Sequence, residues 1–235
     1  SGRWKTHPPW VCCLVNCPRA CGILSKRVIM PTPIQRQAFG LKILNAGHPS
    51  IRKLKSQGFQ AEIHGNKFWN SSFLVMDYLK RNPLPQGTRV LEVGCGWGLL
   101  GLYCAKAFDA VVTGIDADAN VGPYLDLHAQ LNHQSMTFEQ KSFNQLTKAY
   151  LANFDVIIGA DICFWDELSQ QLFNLIRRAQ GAGVSQTILA DPCRSPFETL
   201  AARSAAAFKS VERIEAGISR PTKATGALLI VRADP

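Results

Sequence analysis

No apolar run in this 235-residue chain approaches the ~18 residues that would span a bilayer, so no transmembrane helix and no membrane partner are expected. Internal repeats and low-complexity tracts are absent too, which argues against a solenoid or a linker-rich chain. Its eight cysteines include no C-x2-C pair, and His128 and His133 stand five apart, so no structural metal is expected. Acid is scarce in one region. Residues 1–82 hold 13 Lys/Arg and only 2 Asp/Glu, whereas residues 83–235 hold 13 and 15. The net charge of +9 therefore belongs to the N-terminal third. The plain reading is a solvated basic arm; the functional one is a dock for acidic protein, nucleic acid or anionic lipid.

What is present suits one domain with a full hydrophobic core: ordinary length and 46% apolar residues. Residues 1–33 carry Pro8, Pro9, Pro18, Pro31 and Pro33 without sustained periodicity, and are expected to form an extension to a domain over 34–235. Val11 to Val15 is apolar, but Asn16, Pro18 and Arg19 break it too soon for a secretory signal. Cys12, Cys13, Cys17 and Cys21 crowd this extension. Cys95, Cys104, Cys163 and Cys193 are scattered in or beside expected core elements, as small buried hydrophobes of a reduced, cytoplasmic protein would be.

From residue 89 onward, short apolar strands alternate with helical stretches. Strands are expected at 89–93, 110–115, 137–140, 154–160 and 186–190, with helices at 99–108, 121–131, 145–152, 166–180 and 196–208. Five such repeats imply a doubly wound α/β fold, a parallel sheet with helices on both faces. Val156-Ile-Ile158 is apolar throughout, as a doubly covered strand should be. Two closing strands, 211–216 and 227–232, have only a loop between them and so form a hairpin whose last strand is antiparallel. Upstream, 34–44 is read as a helix, 51–63 as a helix plus a short strand, and 73–80 as a buried helix capped by Ser71 or Ser72.

The stretch Arg89-Val-Leu-Glu-Val-Gly-Cys-Gly-Trp-Gly-Leu-Leu-Gly101 organises the rest. Glycines at a strand-to-helix junction let the backbone approach a ligand, and the helix start offers unpaired N–H groups. Gly96-Trp-Gly-Leu-Leu-Gly101 with Asp116 twenty residues on matches the dinucleotide fingerprint. However, Gly94 and Cys95 stand between the strand and that first glycine, and the αβ alternation leaves no residues for a dehydrogenase substrate domain.

Framed instead as Glu92-Val-Gly94-Cys-Gly96-Trp-Gly98, the chain resembles the class I S-adenosylmethionine-dependent methyltransferases, whose first motif is (D/E)-x-G-x-G-x-G. The resemblance runs over residues 67–232, with acids ending the second strand (Asp116) and the fourth (Asp161). It implies a Rossmann-like seven-stranded sheet of order 3-2-1-4-5-7-6, an antiparallel strand 7, and S-adenosyl-L-methionine along the carboxyl edge. By that resemblance Asp116 accepts the ribose hydroxyls and Gly94, Gly96 and Gly98 give the cofactor room. Glu92 steadies the loop or reaches the cofactor ammonium through water. Ser142 and Phe143 are the candidates for adenine.

Asp161-Ile-Cys-Phe-Trp165 lacks the two prolines typical of nucleic-acid amino-methylating enzymes, which disfavours nucleic acid as a partner. It is similar instead to the D-x-x-Y of the seven-strand protein-lysine methyltransferases (methyltransferase family sixteen), with Phe164 replacing the tyrosine. Trp69-Asn-Ser-Ser72 resembles their W-x-x-S, and Asp191-Pro-Cys-Arg194 the D-P-G-R of one subgroup. Bacterial chains of this kind are also likened to nicotinamide N-methyltransferase. The resemblance implies an enzyme that methylates nitrogen, on a protein lysine or, alternatively, on a small-molecule amine. RNA methylation and a non-catalytic binding module are the weaker readings. Asp161 would orient the amine or take its proton, with Trp69, Phe164 and Trp165 caging a cation.

Overall fold

The structure, a computed structural model, describes residues 34–61, 65 and 67–233. The expected extension over 1–33, with Cys12, Cys13, Cys17 and Cys21, lies outside the described residues.

Among the described residues nine strands and seven helices follow in chain order: β1 (Gln35–Ala38), β2 (Leu41–Leu44), α1 (Pro49–Ser56), α2 (Ser72–Arg81), β3 (Arg89–Val93), α3 (Leu99–Phe108), β4 (Val111–Asp116), α4 (Gly122–Asn132), β5 (Thr137–Gln140), α5 (Lys148–Leu151), β6 (Val156–Ala160), α6 (Asp166–Gln180), β7 (Gln186–Asp191), α7 (Ser195–Ala207), β8 (Val211–Ile218) and β9 (Ala224–Arg232). Short 3-10 turns cover Ala119–Val121 and Phe143–Gln145.

β3 to β9 form one sheet in the order β5-β4-β3-β6-β7-β9-β8, which is 3-2-1-4-5-7-6 counted within the sheet. β9 runs antiparallel to both β7 and β8, and the other pairs are parallel. The doubly wound fold with an antiparallel seventh strand is therefore as the sequence implies. Strand alternation divides the core. Val90, Val112, Ile158 and Ile188 face a cluster with residues of α2 and α3, while Leu91, Ile115, Ile157 and Leu189 face one with residues of α6 and α7. Burial on both faces explains why these strands read as continuous apolar runs.

The expected helix over 34–44 is instead the β1–β2 hairpin. Its turn residues Phe39 and Gly40 have φ of 50° and 76°, the positive pair that a two-residue hairpin turn favours. Leu41 and Ile43 are buried around an exposed Lys42, a period of two rather than 3.6. Side chains of α4 close the outer edge of β2. Asn132 accepts the Lys42 N–H at 2.7 Å and donates to its carbonyl at 3.0 Å, and His128 Nε2 accepts the Leu44 N–H at 3.2 Å. His128 Nδ1 lies 2.7 Å from the Tyr124 carbonyl, so the ring is neutral with Nδ1 donating. Burial pushes its pKa down to about 4, the Tyr124 contact opposing.

The 51–63 segment holds α1, and the end where its short strand is expected lies partly outside the described residues. One smaller correction remains: the helical stretch at 145–152 shrinks to the turn at 143–145 and the four-residue α5. Among the described residues no helix is long and apolar enough to cross a membrane.

Candidate active site

The carboxyl ends of β3, β4, β5 and β6 open into one cleft of about 820 Å3, including its mouth. Gly94, Gly96, Asp116, Ser142 and Phe143 line one part, and Trp69, Asp161, Phe164 and Trp165 the other. Sequence reasoning thus named nine of its wall residues, while Glu92 and Gly98 support the wall from behind.

The three motif glycines have different physical reasons. A Cβ on Gly94 would stand 2.5 Å from Ile162 Cγ2, and one on Gly98 2.7 Å from Leu125 Cγ, so both glycines are packing requirements. Gly96, at φ 50°, has nothing within 4 Å of an added Cβ. Its bare face looks onto open space, which is where a ligand can approach the backbone.

Asp116 holds that loop. One carboxylate oxygen accepts the Gly96 N–H at 3.0 Å, the other the Asp118 N–H at 3.0 Å. Burial raises its pKa, opposed by those N–H groups. Glu92 is fully buried and accepts the Gly101 N–H at 2.9 Å, bracing the first turn of α3. On the third loop, Ser142 and Gln145 cap the 3-10 turn, the Gln145 side chain accepting the Ser142 N–H at 2.8 Å.

Asp161 sits at φ 57°, an uncommon conformation for a non-glycine residue, and its carboxylate is anchored at both oxygens. Oδ2 accepts the Ser71 N–H at 3.1 Å and Oδ1 accepts from Arg194 Nη2 at 2.9 Å. Arg194 also donates from Nη1 to Asp191 at 2.7 Å and from its backbone N–H at 2.8 Å. Its guanidinium lies 4.5 Å from the Phe164 ring centre. Phe164 meets Trp69 edge-on at 5.8 Å, and Trp165 stands at 5.8 Å on the other side, 43% exposed at the mouth. Lys67 Nζ lies 4.1 Å from the Trp69 ring centre.

Residues 90–183 match a protein-family model described as a methyltransferase domain. The fold recurs in a methyltransferase from Pyrococcus furiosus, with a TM-score of 0.57 at 18% identity over 79% of this chain and 97% of that one. It recurs also in the N-methyltransferase NodS from Bradyrhizobium japonicum WM9, with a TM-score of 0.51 at 17% identity over 81% and 99%. The family model covers about two fifths of the chain, and the sheet as a whole has the fold of these methyltransferases. Among curated proteins, the chain is 32% identical to wheat (Triticum aestivum) phosphoethanolamine N-methyltransferase 1 over 51% of its own length and 24% of that protein. It is 32% identical to Arabidopsis thaliana calmodulin-lysine N-methyltransferase over 46% and 38%. The chain thus spans about a quarter of the wheat protein's length and under two fifths of the other's.

The cleft fits S-adenosyl-L-methionine, the cofactor that a methyltransferase fold implies. The bare face of Gly96 and the acid of Asp116 stand together at the β3 and β4 ends, where a flexible chain and a ribose diol need room and an acceptor. Among the described residues no group of three or more His, Cys, Asp or Glu could hold a metal.

The cleft and its surroundings also hold residues that sequence reasoning left without a role. Arg194 was visible within Asp191-Pro-Cys-Arg194, but pairing with Asp161 across 33 residues is a property of adjacent strands β6 and β7. Lys67 and the Ser71 N–H had no signal of their own. The Cys193 thiol, expected to be buried, is exposed; its residue takes φ 70° in the turn that delivers Arg194.

Burial lifts the Glu92 pKa to about 8, the Gly101 N–H partly opposing. A folded-state pKa above the usual carboxyl value stabilises below about pH 4.5, an effect lost as pH rises through about 8. Glu92→Gln keeps an acceptor for Gly101 and cannot ionise. Relative to wild type it should gain roughly 2–5 kcal/mol between about pH 5 and 9. Urea unfolding at both pH values checks this; parallel pH profiles would place the titration elsewhere.

Proposed function

We propose that the chain is an S-adenosylmethionine-dependent N-methyltransferase whose acceptor is a small-molecule amine. The observation that carries the reading is the shared cleft: Gly96 and Asp116 at one end, Asp161 and the aromatic wall at the other, within one open volume. When bound, S-adenosylmethionine supplies an electrophilic methyl group that needs no further activation. The protein's task is then to align an amine lone pair with it and exclude water.

An alkylamine near pKa ~10.4 must arrive neutral, and a desolvating apolar wall lowers that pKa. Trp69, Phe164, Trp165 and Leu168 supply such a wall. In this reading Asp161, fixed by Ser71 and Arg194, directs the amine N–H and receives the proton released as the N–C bond forms. Asp116 takes the ribose hydroxyls, Gly94 and Gly96 the methionine portion, and Ser142 and Phe143 the adenine. Gly98 and Glu92 keep the loop in shape.

The likeness to phosphoethanolamine N-methyltransferases from wheat and Arabidopsis thaliana supports the small-molecule acceptor. The calmodulin-lysine relative supports a protein lysine as the second reading. Labelled-methyl transfer decides between them. A cell extract split by ultrafiltration is incubated with enzyme and cofactor bearing a heavy methyl group. Label in the small-molecule amine pool is expected. Label in lysine peptides would replace the first reading with the second, and cofactor binding without transfer to any amine would reject both.

A further inference from the structure

The part of the cleft meant for the acceptor holds one cation that the described residues of the wall do not neutralise. Among the described residues four ionisable side chains line the cleft: Lys67, Asp116, Lys141 and Asp161. Lys141 is paired with Glu139 at 3.0 Å. Asp161 is paired with Arg194 at 2.9 Å, and Asp191, the second acid on that arginine, is fully buried and outside the cleft wall. Asp116 lies at the other end, bonded to the loop amides. Among the described residues Lys67 has no carboxylate partner; its only neighbour of note is the Trp69 ring at 4.1 Å.

The order of groups along the wall matters. Ammonium, indole, phenyl and guanidinium follow one another as Lys67, Trp69, Phe164 and Arg194, each in contact with the next. The protein's own cations thus already occupy a face of Trp69 and a face of Phe164. Together these rings make a poor box for a methylated ammonium, contrary to the aromatic cage that the sequence suggests. Lys67 ends the row as an exposed point charge on a flexible stem. Such a group recognises an anion, and the low-dielectric wall beside it strengthens that attraction.

We infer that Lys67 is a specificity residue that receives an anionic group, a phosphate or a carboxylate, carried by the acceptor amine. This rests on the N-methyltransferase reading. The amine end then reaches Asp161 while the anionic end stays at the mouth, so the acceptor is fixed at two points.

The test compares amines that differ only in the anion. Ethanolamine is set against phosphoethanolamine for the phosphate arm, and propylamine against β-alanine for the carboxylate arm. Steady-state kinetics are measured on wild type, Lys67→Gln and Lys67→Glu, with cofactor affinity measured by calorimetry. Wild type should favour the anionic member of at least one pair. Lys67→Gln should raise KM for that member about 10–100-fold, as for a lost charge-assisted contact, and change kcat far less. Lys67→Glu should reverse the preference.

A preference that survives Lys67→Glu overturns the inference, as does wild type without a preference. Cofactor affinity that falls as much as acceptor affinity in Lys67→Gln also overturns it, assigning the lysine to the cofactor carboxylate. Failure of the underlying reading looks different: cofactor bound, and no transfer to any of the four amines.

Discussion

Asp116→Ala is expected to weaken S-adenosylmethionine binding by about 10²–10⁴-fold, from the loss of two charge-assisted hydrogen bonds of ~1.5–3 kcal/mol each. Two functions meet in this carboxylate. Toward the protein it ties the Gly96 amide to the loop after β4, through the Gly96 and Asp118 N–H groups at 3.0 Å each. Toward the cleft it offers the remaining lone pairs of both oxygens. Alanine removes the proposed diol acceptor and also frees the loop of Gly96, whose bare face looks onto the cleft. Asp116→Asn keeps one acceptor oxygen, so it should fall between wild type and alanine. Calorimetry on all three proteins, with circular dichroism to show that the sheet persists, measures the effect. Wild-type affinity in Asp116→Ala would remove the residue from the cofactor site.

The parts of the molecule that the sequence disclosed share one property: their signals are local. β3, the three glycines and α3 follow each other within twenty residues, and the strand-helix alternation is read without knowing which strands pair. The terminal hairpin could be recognised because only a loop separates β8 from β9. The β1–β2 hairpin carries no such signal, because its alternation is only four residues long on each side. Its defining partners are the His128 and Asn132 side chains, 84 and 90 residues away. Arg194 shows the same limit at the site. The residue stood within a noticed motif, yet its role depends on β6 and β7 lying side by side. Lys67 is harder still, since an isolated lysine in a basic third of the chain has a solvated face as its default reading. Only the pairing of its neighbours singles it out.

Arg194→Ala should lower thermal stability by ~3–5 kcal/mol, the usual cost of leaving buried charge unpaired, or roughly 6–20 °C in Tm for a domain of this size. The Arg194 side chain is 24% exposed, whereas those of Asp161 and Asp191 are 4% and 0% exposed. One guanidinium therefore holds two buried carboxylates apart while covering Phe164. Burial already lifts the Asp191 pKa to about 6, and Arg194 is what restrains it. Such an elevated carboxyl stabilises below its unfolded value of about 3.8 and loses that effect as pH rises through about 6. Without Arg194 the elevation grows, so the gap between variant and wild type should be larger at about pH 8 than at about pH 5. A gap independent of pH would mean that the guanidinium acts through packing alone. Arg194→Lys should recover only part of the loss, because one ammonium cannot bond both acids and cover the ring together. In the same proteins, methyl transfer should fall further than cofactor affinity. Arg194 holds Asp161 and Phe164 at the end proposed for the acceptor, while the Asp116 loop at the end proposed for the cofactor keeps all its own bonds.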